Sequence, residues 1–281
     1  MKKKKILFTT PNFNTAGSGK VVLDLIRGLK NDFEIEVACF NNKGALFEIV
    51  QSEGVKMHIF SFTEPGKPYI TLLSRIKRIV KFFKENNFDL IHSWHYLDDW
   101  TEPLSARLAG VPLVFTKKSM SWSGKDWKLR SFFASKIITI NTDMNREFYP
   151  NKSKAVYIPL GLDISEYKPQ LRELSIYADC GIQQSNFVML SVANLVPIKG
   201  IETAIEALHM CQDSNVHYVI VGGYEQKYYQ KLIELVATFK LESNVHFLGK
   251  KTDVRPYLAA CDLFVIPTLN EGRKDGQPMA P

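Results

Sequence analysis

The repeated alternation of strand, turn and helix in the last third of the sequence is the feature that most constrains the fold. Residues 187–193 form a continuous, largely apolar run, as expected for a strand covered on both faces. A turn at 194–200 leads into a helical pattern at 201–210. The same design recurs, with strands predicted at 217–221, 245–248 and 263–266 and a helix at 226–239. Such alternation predicts a parallel sheet with right-handed crossovers.

The first part of the chain shows the same alternation and predicts a separate α/β domain. Strands are predicted at 6–10, 33–40, 55–60, 90–93, 113–116, 136–140 and 155–159. Because 281 residues exceed the size at which one hydrophobic core usually stops growing, we expect two domains, at 1–165 and 175–281. The alternation is unfinished at residue 281, so we expect the second domain to be partial and this chain by itself to be inactive.

Composition restricts the class of protein. Hydrophobic residues make up 45% and charged residues 23% of the chain, as in ordinary globular proteins, and no apolar run has the length of a membrane span. Only a short apolar segment follows the basic residues 2–5, shorter than a secretory signal requires, so a cytoplasmic location is predicted. The four cysteines are far apart and are expected to be buried, reduced thiols.

The net charge of +7 indicates acidic partners, either phosphate-bearing ligands or an anionic membrane. Nucleic acid is not expected, because no recognition motif with interleaved aromatic residues is present. A basic amphipathic helix is predicted at 72–84, with an apolar side formed by Leu73, Ile76, Ile79, Val80 and Phe83. It is either a peripheral contact with the inner face of a membrane or a sheet-covering helix with a solvated basic face. The basic and aromatic loop 117–127 is either an acceptor lid or a packed loop.

Two turns at strand ends carry candidate ligand-binding residues. Asn194 and Lys199 follow the carboxyl end of a parallel strand, where open α/β sheets bind ligands. Backbone amides and the positive end of the following helix favour an anion at such a turn. The glycines Gly222 and Gly223 form the corresponding turn after the next strand.

The segment 15–20 imitates a phosphate-binding P-loop after the first strand. A P-loop requires Gly at the position of Asn14 and Ser or Thr at that of Val21, and neither is present. Lys20 is therefore predicted to begin a helix rather than to bind phosphate.

Several separated segments match the motifs of one family in the right order. They are IPLGLD at 158–163, NLVPIKG at 194–200, VIVGG at 219–223, VHFLG at 245–249 and YLAACDLFVIP at 257–267. On these motifs the chain resembles the retaining glycosyltransferases of family 4, also called glycosyl transferases group 1. The resemblance covers essentially the whole chain. It implies two Rossmann-like parallel-sheet domains facing each other across a cleft, the GT-B architecture, with the second domain incomplete.

The resemblance also implies roles for particular residues on the donor side. Lys199 would pair with the diphosphate of a nucleotide-sugar donor and stabilise the charge of the leaving group. Many family members have Arg at the position of Asn194, so this Asn would contribute a hydrogen bond without a charge. Gly17 and Gly19 would form the family's amino-terminal glycine loop, whose amides approach the donor phosphates or the acceptor.

The final loop departs from the family's pattern. The family places two glutamates here, separated by seven residues, but Met279 stands eight positions after Glu271. An insertion would instead align Asp275 and Gly276 with the motif, and the partner of Asp275 would then fall at position 283. Asp275 is preferred over Glu271 as the first acidic residue of the motif.

A histidine pair near the end of one first-domain strand resembles the family's His-x-His segment, with one extra residue between His92 and His95. His92 is predicted to point into the strand end, and His95 or Tyr96 to face the cleft. His95 would contact the donor sugar or the acceptor, and proton transfer by this ring is less expected.

These expectations combine into one predicted function. The protein would transfer a sugar from a UDP- or GDP-linked donor to an acceptor hydroxyl with retained configuration, in polysaccharide, lipopolysaccharide or glycolipid assembly. The partners would be the nucleotide sugar and a glycan or lipid-linked acceptor, and no cofactor or metal is expected. Two alternatives are a nucleotide-sugar epimerase of the same architecture and a noncatalytic fragment that binds nucleotide sugars.

Overall fold

The computed structural model describes residues 2–14, 16–44, 46–95, 98–122, 124–150, 153–168, 170–172 and 175–269. The chain divides into two compact units, Met1–Gly161 (unit 1) and Leu162–Pro281 (unit 2). Each unit has its own parallel β-sheet, and strands alternate with helices along the chain in both. The predicted fold class, α/β with two Rossmann-like parallel-sheet domains, is confirmed.

The elements of unit 1 follow the predicted alternation closely. The strands are β1 (Lys5–Thr9), β2 (Glu34–Cys39), β3 (Lys56–Ile59), β4 (Leu90–Ser93), β5 (Leu113–Lys117), β6 (Lys136–Thr139) and β7 (Ala155–Tyr157). The helices are α1 (Ala16–Leu29), α2 (Phe47–Ser52), α3 (Leu72–Glu85), α4 (Thr101–Ala109), α5 (Trp127–Phe133) and α6 (Thr142–Phe148). A 3₁₀ turn, Tyr69–Thr71, precedes α3.

The sheet of unit 1 has the order β3-β2-β1-β4-β5-β6-β7, and every neighbouring pair is parallel. The chain first builds outward from β1 in one direction and then returns to build from β4 in the other. Because the crossovers change direction between β1 and β4, a crevice is expected at the carboxyl ends of these two strands. Residues that follow Thr9 and Ser93 are therefore the ones positioned to meet a ligand.

The sheet of unit 2 is smaller and has the order β10-β9-β8-β11. Its strands are β8 (Phe187–Val192), β9 (Val216–Val221), β10 (Val245–Phe247) and β11 (Leu263–Phe264). Its helices are α7 (Ser175–Cys180), α8 (Ile201–Cys211), α9 (Gln226–Phe239) and α10 (Arg255–Ala260). The corresponding change of direction in unit 2 lies between β8 and β11.

Both faces of the unit 2 sheet are buried, which explains the continuous apolar runs in the sequence. All residues of β9 are buried, with Tyr218 and Ile220 in one core cluster and Val219 and Val221 in another. Successive side chains of a strand point to opposite faces, so a strand with helices on both sides requires apolar residues at every position.

Two helices differ from their predicted form. Helix α1 begins at Ala16 instead of Lys20, so Gly17 and Gly19 lie in its first turn and not in a loop before it. In α3 the buried apolar residues include Leu72, whereas Leu73 is 68% exposed. Among the described residues, no helix combines the length and the hydrophobicity needed to cross a bilayer.

Candidate functional site

The turn that carries Lys199 lies between β8 and α8, at the direction change of unit 2. Residues Pro197–Lys199 form a 3₁₀ turn, and the Lys199 and Gly200 amides donate to Val196 O and Pro197 O at 2.9 and 3.1 Å. Lys199 is partly exposed and Asn194 is exposed. The structure therefore places both predicted residues beyond the carboxyl end of β8, where the sequence analysis expected them.

Two glycines in unit 2 are required by close backbone approaches. Gly200 has φ +59°, and a Cβ at this position would lie 2.2 Å from the carbonyl oxygen of Pro267. A Cβ on Gly222 would lie 1.8 Å from the carbonyl oxygen of Ala193. Any larger residue would push the neighbouring strand ends apart, so these glycines hold the turns around Lys199 in contact with each other.

The turn after β9 is joined to the lysine turn by backbone hydrogen bonds. The Leu195 amide donates to Gly223 O at 2.7 Å, and the Glu225 amide donates to Leu195 O at 3.3 Å. Gly223 itself lies close to the Asn194 side chain. A Cβ added to Gly223 would be 3.5 Å from Asn194 Oδ1. Asn194, Lys199, Gly222 and Gly223 are thus brought into one connected region.

A pocket of about 260 Å³ opens at the carboxyl edge of the same sheet. Its walls come from the ends of β8, β9 and β10, and the lining residues are Leu195, Ile220, Gly222, Tyr224, Tyr229, Phe247, Leu248 and Gly249. Tyr224 stacks on Tyr229 with a centroid distance of 4.5 Å, and Tyr229 meets Phe247 edge-on at 5.3 Å. Such walls of aromatic rings and glycine backbone suit a flat ring with polar edges.

The segment after β11 reaches the lysine turn just before the predicted acidic loop. The Leu269 amide donates to Ile198 O at 2.9 Å. The Thr268 hydroxyl is buried and has no hydrogen-bond partner in the part of the chain that the structure describes. A buried hydroxyl without a partner is costly, which favours a polar ligand at this point. Glu271, Asp275 and Gly276 lie outside the described residues.

In unit 1, the first turn of α1 stands at the carboxyl end of β1. Gly19 is buried, and a Cβ there would meet Leu46 Cδ1 at 3.0 Å and Phe13 Cδ1 at 3.4 Å. This tight packing explains why glycine occurs inside the helix. The Lys20 ammonium pairs with Asp24 at 2.9 Å, one turn along the same helix.

The two histidines of β4 and its exit lie in different surroundings. His92 Nε2 lies 2.9 Å from Thr116 Oγ1, and burial together with the charge of Lys118 lowers the pKa of His92 to about 4. His95 is 4% exposed, and its ring stands edge-on to Phe40 and Phe62. Burial and the charges of Arg130 and Lys118 lower the pKa of His95 to about 3, so this ring is neutral at pH 7. Contact of His95 with a sugar stays a prediction.

A buried polar network holds the exit of β4. Both oxygens of the Glu102 carboxylate accept hydroxyl hydrogen bonds, from Thr9 at 2.5 Å and from Ser93 at 2.7 Å. The Arg130 guanidinium lies 3.5 Å from Glu102 and donates to Ser93 Oγ and to Asp99 O. Since the Thr9, Ser93, Glu102 and Arg130 side chains are buried, the network fixes the β1 and β4 ends against α4 and α5.

His95, Asp99 and Glu102 offer ligand atoms within 4.8 Å of one another, a cluster that the sequence analysis did not find. Asp99 accepts hydrogen bonds from the Thr101 hydroxyl and the Glu102 amide, and Glu102 accepts those from Thr9 and Ser93. Burial raises the pKa of both carboxyl groups, and the adjacent guanidinium already supplies positive charge. These residues therefore fit a structural network better than a metal site.

The described part of the loop 117–127 is packed. Trp122 stacks on Trp127 at 5.5 Å with an interplanar angle of 6°, and both rings lie against the main core of unit 1. The Lys117 ammonium lies 3.8 Å from the Trp122 ring centroid. These contacts support the interpretation of the segment as a packed loop. In the sequence, only its basic and aromatic composition indicated this packing.

Comparison with known proteins extends this picture. The family model described as Glycosyltransferase Family 4 matches residues 15–166, and the one described as Glycosyl transferases group 1 matches residues 176–273. A UDP-Gal:alpha-D-GlcNAc-diphosphoundecaprenol alpha-1,3-galactosyltransferase of Escherichia coli is 26% identical over 72% of this chain and 58% of its own length. The N,N'-diacetylbacillosaminyl-diphospho-undecaprenol alpha-1,3-N-acetylgalactosaminyltransferase of Campylobacter jejuni is 24% identical over 89% of this chain and 71% of its own length. This chain thus spans about six to seven tenths of these relatives.

Solved structures have the same fold. Anabaena HepE in complex with UDP and glucose superposes with a TM-score of 0.76 at 23% identity, covering 93% of this chain and 73% of HepE. A glycosyltransferase from Rickettsia africae superposes with a TM-score of 0.79 at 17% identity, covering 95% of this chain and 74% of that protein. Because the first family model alone matches more than half of the sequence, the chain belongs to glycosyltransferase family 4.

Proposed function

We propose that the protein transfers a sugar from a nucleoside-diphosphate donor to an acceptor hydroxyl with retained configuration. The observation that carries the proposal is the joined pair of turns in unit 2, in which the lysine turn and the aromatic pocket share Leu195. The turn after β8 suits a diphosphate, and the pocket beside the turn after β9 suits a flat ring. Only one short loop separates the two places. A volume of about 260 Å³ is enough for part of a ligand, such as the base, but is small for a whole nucleotide sugar.

The diphosphate would lie on the turn between β8 and α8. The Lys199 ammonium supplies the positive charge, and the amino-terminal end of α8 adds the favourable helix dipole. Leu269, the last described residue, donates to Ile198 O in the same turn. Asp275 or Glu271, which lie outside the described residues, would meet the donor sugar and phosphates. The Thr268 hydroxyl would gain the partner that it lacks among the described residues.

Transfer would break the bond between the sugar C1 and the diphosphate oxygen and form a bond from C1 to the acceptor oxygen on the same face. The acceptor proton would move to an oxygen of the leaving phosphate. Lys199 would stabilise the charge that develops on this phosphate in the transition state. Because the pKa of His95 is about 3, its ring would be neutral when it contacts the donor sugar or the acceptor. It would not donate a proton at neutral pH.

The acceptor would be a sugar on a lipid carrier diphosphate. The names of the E. coli and C. jejuni relatives describe such acceptors. Both relatives are transferases, and no feature of the described residues favours an epimerase. The donor would be a UDP- or GDP-linked sugar.

A membrane contact through α3 would bring the enzyme to such an acceptor. Tyr69, Ile70 and Leu73 are 61%, 94% and 68% exposed at the start of α3. The exposed basic residues Lys67, Lys77, Arg78, Lys81 and Lys84 lie on the same segment. Exposed apolar side chains with basic neighbours suit the interface of an anionic bilayer.

The experiment that tests the function compares the protein with its Lys199→Ala and Lys199→Arg variants. Calorimetry with UDP and GDP should show binding that falls at least tenfold in Lys199→Ala and is partly retained in Lys199→Arg, because the charge remains. A panel of nucleotide sugars with a prenyl-diphosphate-linked acceptor, followed by NMR of the product, gives the sugar and its configuration. Equal nucleotide binding in the Lys199→Ala variant would contradict the proposal.

A further inference from the structure

The Ser93 hydroxyl lies at the centre of the buried network at the end of β4. It donates to one oxygen of the Glu102 carboxylate at 2.7 Å and accepts from Arg130 Nη2 at 2.9 Å. The amide of His95, two residues further along the chain, donates to the same oxygen at 3.4 Å. A serine hydroxyl has one hydrogen to donate and two lone pairs that accept. Protein groups therefore occupy all three places on Ser93 Oγ. We call Ser93, Glu102 and Arg130 the serine network.

These hydrogen bonds lie where the chain leaves the sheet. The Trp94 amide still donates to Thr9 O at 2.7 Å, as in a continued pairing with β1. The next amide, that of His95, donates to the Ser93 side chain instead. A serine oxygen that accepts from an amide two residues ahead forms a local turn, which competes with continuation of the strand. Ser93 therefore sets the direction in which the chain carries His95 away from the sheet.

The turn places the His95 ring beyond the carboxyl ends of the neighbouring strands. The ring stands edge-on to Phe40, the residue after β2, at 5.8 Å and to Phe62, three residues after β3, at 5.9 Å. This edge of a parallel sheet is where α/β domains bind ligands. The two phenylalanine rings restrict the tilt of the imidazole, and Ser93 holds the backbone that carries it.

Stability does not account for the charged part of the serine network. The Glu102 and Arg130 side chains are fully buried, and their charged groups lie 3.5 Å apart. The cost of taking two charges out of water offsets much of their attraction, and apolar residues of the same volume often give a more stable core. Apolar residues could not, however, give Ser93 Oγ an acceptor on one side and a donor on the other. The ion pair thus fixes the orientation of this hydroxyl.

We propose that the serine network positions the His95 ring for sugar transfer, by holding the turn that orients this ring toward the reacting sugar or the acceptor. Glu102 accepts the hydroxyl hydrogen, and Arg130 occupies one lone pair of Ser93 Oγ. The other lone pair is then left for the His95 amide. The three members of the network are positioning residues, which act through His95. The use of the ring in transfer rests on the proposed function, whereas the positioning of the ring does not.

Histidine NMR tests the positioning without a substrate. The His95 ring signal is identified by its absence in a His95→Gln variant. Burial and the charges of Arg130 and Lys118 lower the pKa of His95 to about 3, so this signal should not titrate between pH 5 and pH 8. In Ser93→Ala the signal should shift and titrate closer to the ordinary value of 6.5, because a ring released from its turn gains contact with solvent. An unchanged His95 signal would overturn the proposal.

Transfer kinetics test whether the positioning serves the reaction. With the donor selected by the nucleotide-sugar panel, Ser93→Ala should lower kcat about tenfold. The dissociation constant of the nucleotide, which binds in unit 2, should change less than about twofold. In a His95→Ala background the serine substitution should cause almost no further loss, because the ring through which Ser93 acts is absent. An equal loss in both backgrounds would overturn the proposal, as would full activity of Ser93→Ala or of His95→Ala.

Ser105→Ala is the matched control. Ser105 is also a fully buried serine of unit 1, and its hydroxyl donates to Thr101 O, one turn earlier in α4, at 2.7 Å. This variant loses a buried hydroxyl but keeps the turn at His95, so both the His95 signal and kcat should stay as in the unmodified protein. Changes as large as those in Ser93→Ala would contradict the assignment.

Two further measurements keep the outcome unambiguous. Tryptophan fluorescence shows whether unit 1 is folded in each variant. If Ser93→Ala is unfolded, Ser93→Cys replaces it, because a thiol keeps the shape of the side chain but is a weaker donor and acceptor. The same changes at His95 are then expected. Absence of transfer by the unmodified protein would count against the proposed function, and the NMR result would still decide the positioning. Transfer that the serine variants leave intact would count against this inference alone.

Discussion

At the scale of single residues, Gly222 shows how closely the ends of β8 and β9 approach. A Cβ there would overlap the carbonyl oxygen of Ala193, at 1.8 Å, so the backbone would have to move. We expect Gly222→Ala to lower the free energy of unfolding of unit 2 by about 3 kcal/mol, a typical cost of overpacking. Gly223→Ala is the control, because its Cβ would meet Asn194 Oδ1 at an ordinary 3.5 Å, and less than about 1 kcal/mol is expected.

The two units can be followed separately in this measurement. All four tryptophans, Trp94, Trp100, Trp122 and Trp127, belong to unit 1. Urea unfolding by tryptophan fluorescence therefore reports unit 1, while circular dichroism reports both units. Gly222→Ala should shift the dichroism transition and leave the fluorescence transition in place. A Gly223→Ala variant as unstable as Gly222→Ala would show that the steric explanation is incorrect.

His92 should make unit 1 less stable in acid. Burial lowers the pKa of His92 to about 4, while an unfolded histidine titrates near its ordinary value of 6.5. Below that pH the unfolded state binds a proton that the folded state does not, so stability decreases as the pH falls from about 6.5 to about 4. One such histidine contributes a slope of about 1.4 kcal/mol per pH unit in this window.

The His92→Gln variant isolates this contribution from those of other titrating groups. Unfolding in urea, followed by tryptophan fluorescence between pH 5 and pH 7, should show a shallower pH dependence in the variant than in the unmodified protein. Between pH 5 and pH 6 the slopes of unfolding free energy against pH should differ by the equivalent of about one bound proton. Identical slopes would mean that His92 titrates normally in the folded protein.

At the scale of elements, α3 combines a packing side with a free apolar end. Leu72, Ile76, Ile79 and Phe83 are buried against unit 1, so the helix would form with or without a membrane. The exposed Ile70 and Leu73 have no role in that packing. The two interpretations offered by the sequence are therefore compatible, because the residues that would contact a membrane are not the residues that pack against unit 1.

Vesicle binding separates the apolar from the electrostatic contribution of α3. We expect the protein to sediment with vesicles that contain anionic lipid and to sediment little with zwitterionic vesicles. Binding to the anionic vesicles should decrease as the salt concentration rises.

Ile70→Ser together with Leu73→Ser should weaken binding by roughly tenfold through lost apolar burial. Lys77→Gln together with Lys81→Gln should weaken it by roughly thirtyfold, since each of the two basic residues contributes about 1 kcal/mol. Ile49→Ser, an exposed apolar residue on α2, is the control; if it weakens binding as much, α3 is not the contact.

Most elements were predictable because parallel strands with two buried faces leave a strong sequence pattern. Strand β4 and helix α9 have the predicted bounds, 90–93 and 226–239. The start of α1 was not predicted, because Gly17 and Gly19 have low helix propensity. The packing of Gly19 against Phe13 and Leu46 outweighs that propensity, and such contacts are visible only in the tertiary structure.

At the scale of the whole molecule, a nucleotide that binds the joined turns should stabilise unit 2 selectively. A ligand at a hundred times its dissociation constant adds about 2.7 kcal/mol to the stability of the unit that it binds. With UDP or GDP we expect the dichroism transition to move to higher urea concentration and the tryptophan transition to stay. The Lys199→Ala variant should lose this shift. A shift of the tryptophan transition alone would place the nucleotide in unit 1.

The sequence by itself determined the alternation of elements, the fold class and the turns that hold Lys199, Gly222 and Gly223. These properties depend on periodicity and on local turn chemistry, and residues close together in the sequence determine both. Only the tertiary structure showed the network of Glu102 and Arg130, the aromatic pocket of Tyr224 and Tyr229, and the packing of His95 against Phe40 and Phe62. Those arrangements join residues far apart in the chain, and their burial, charge and partners are decided by packing between elements.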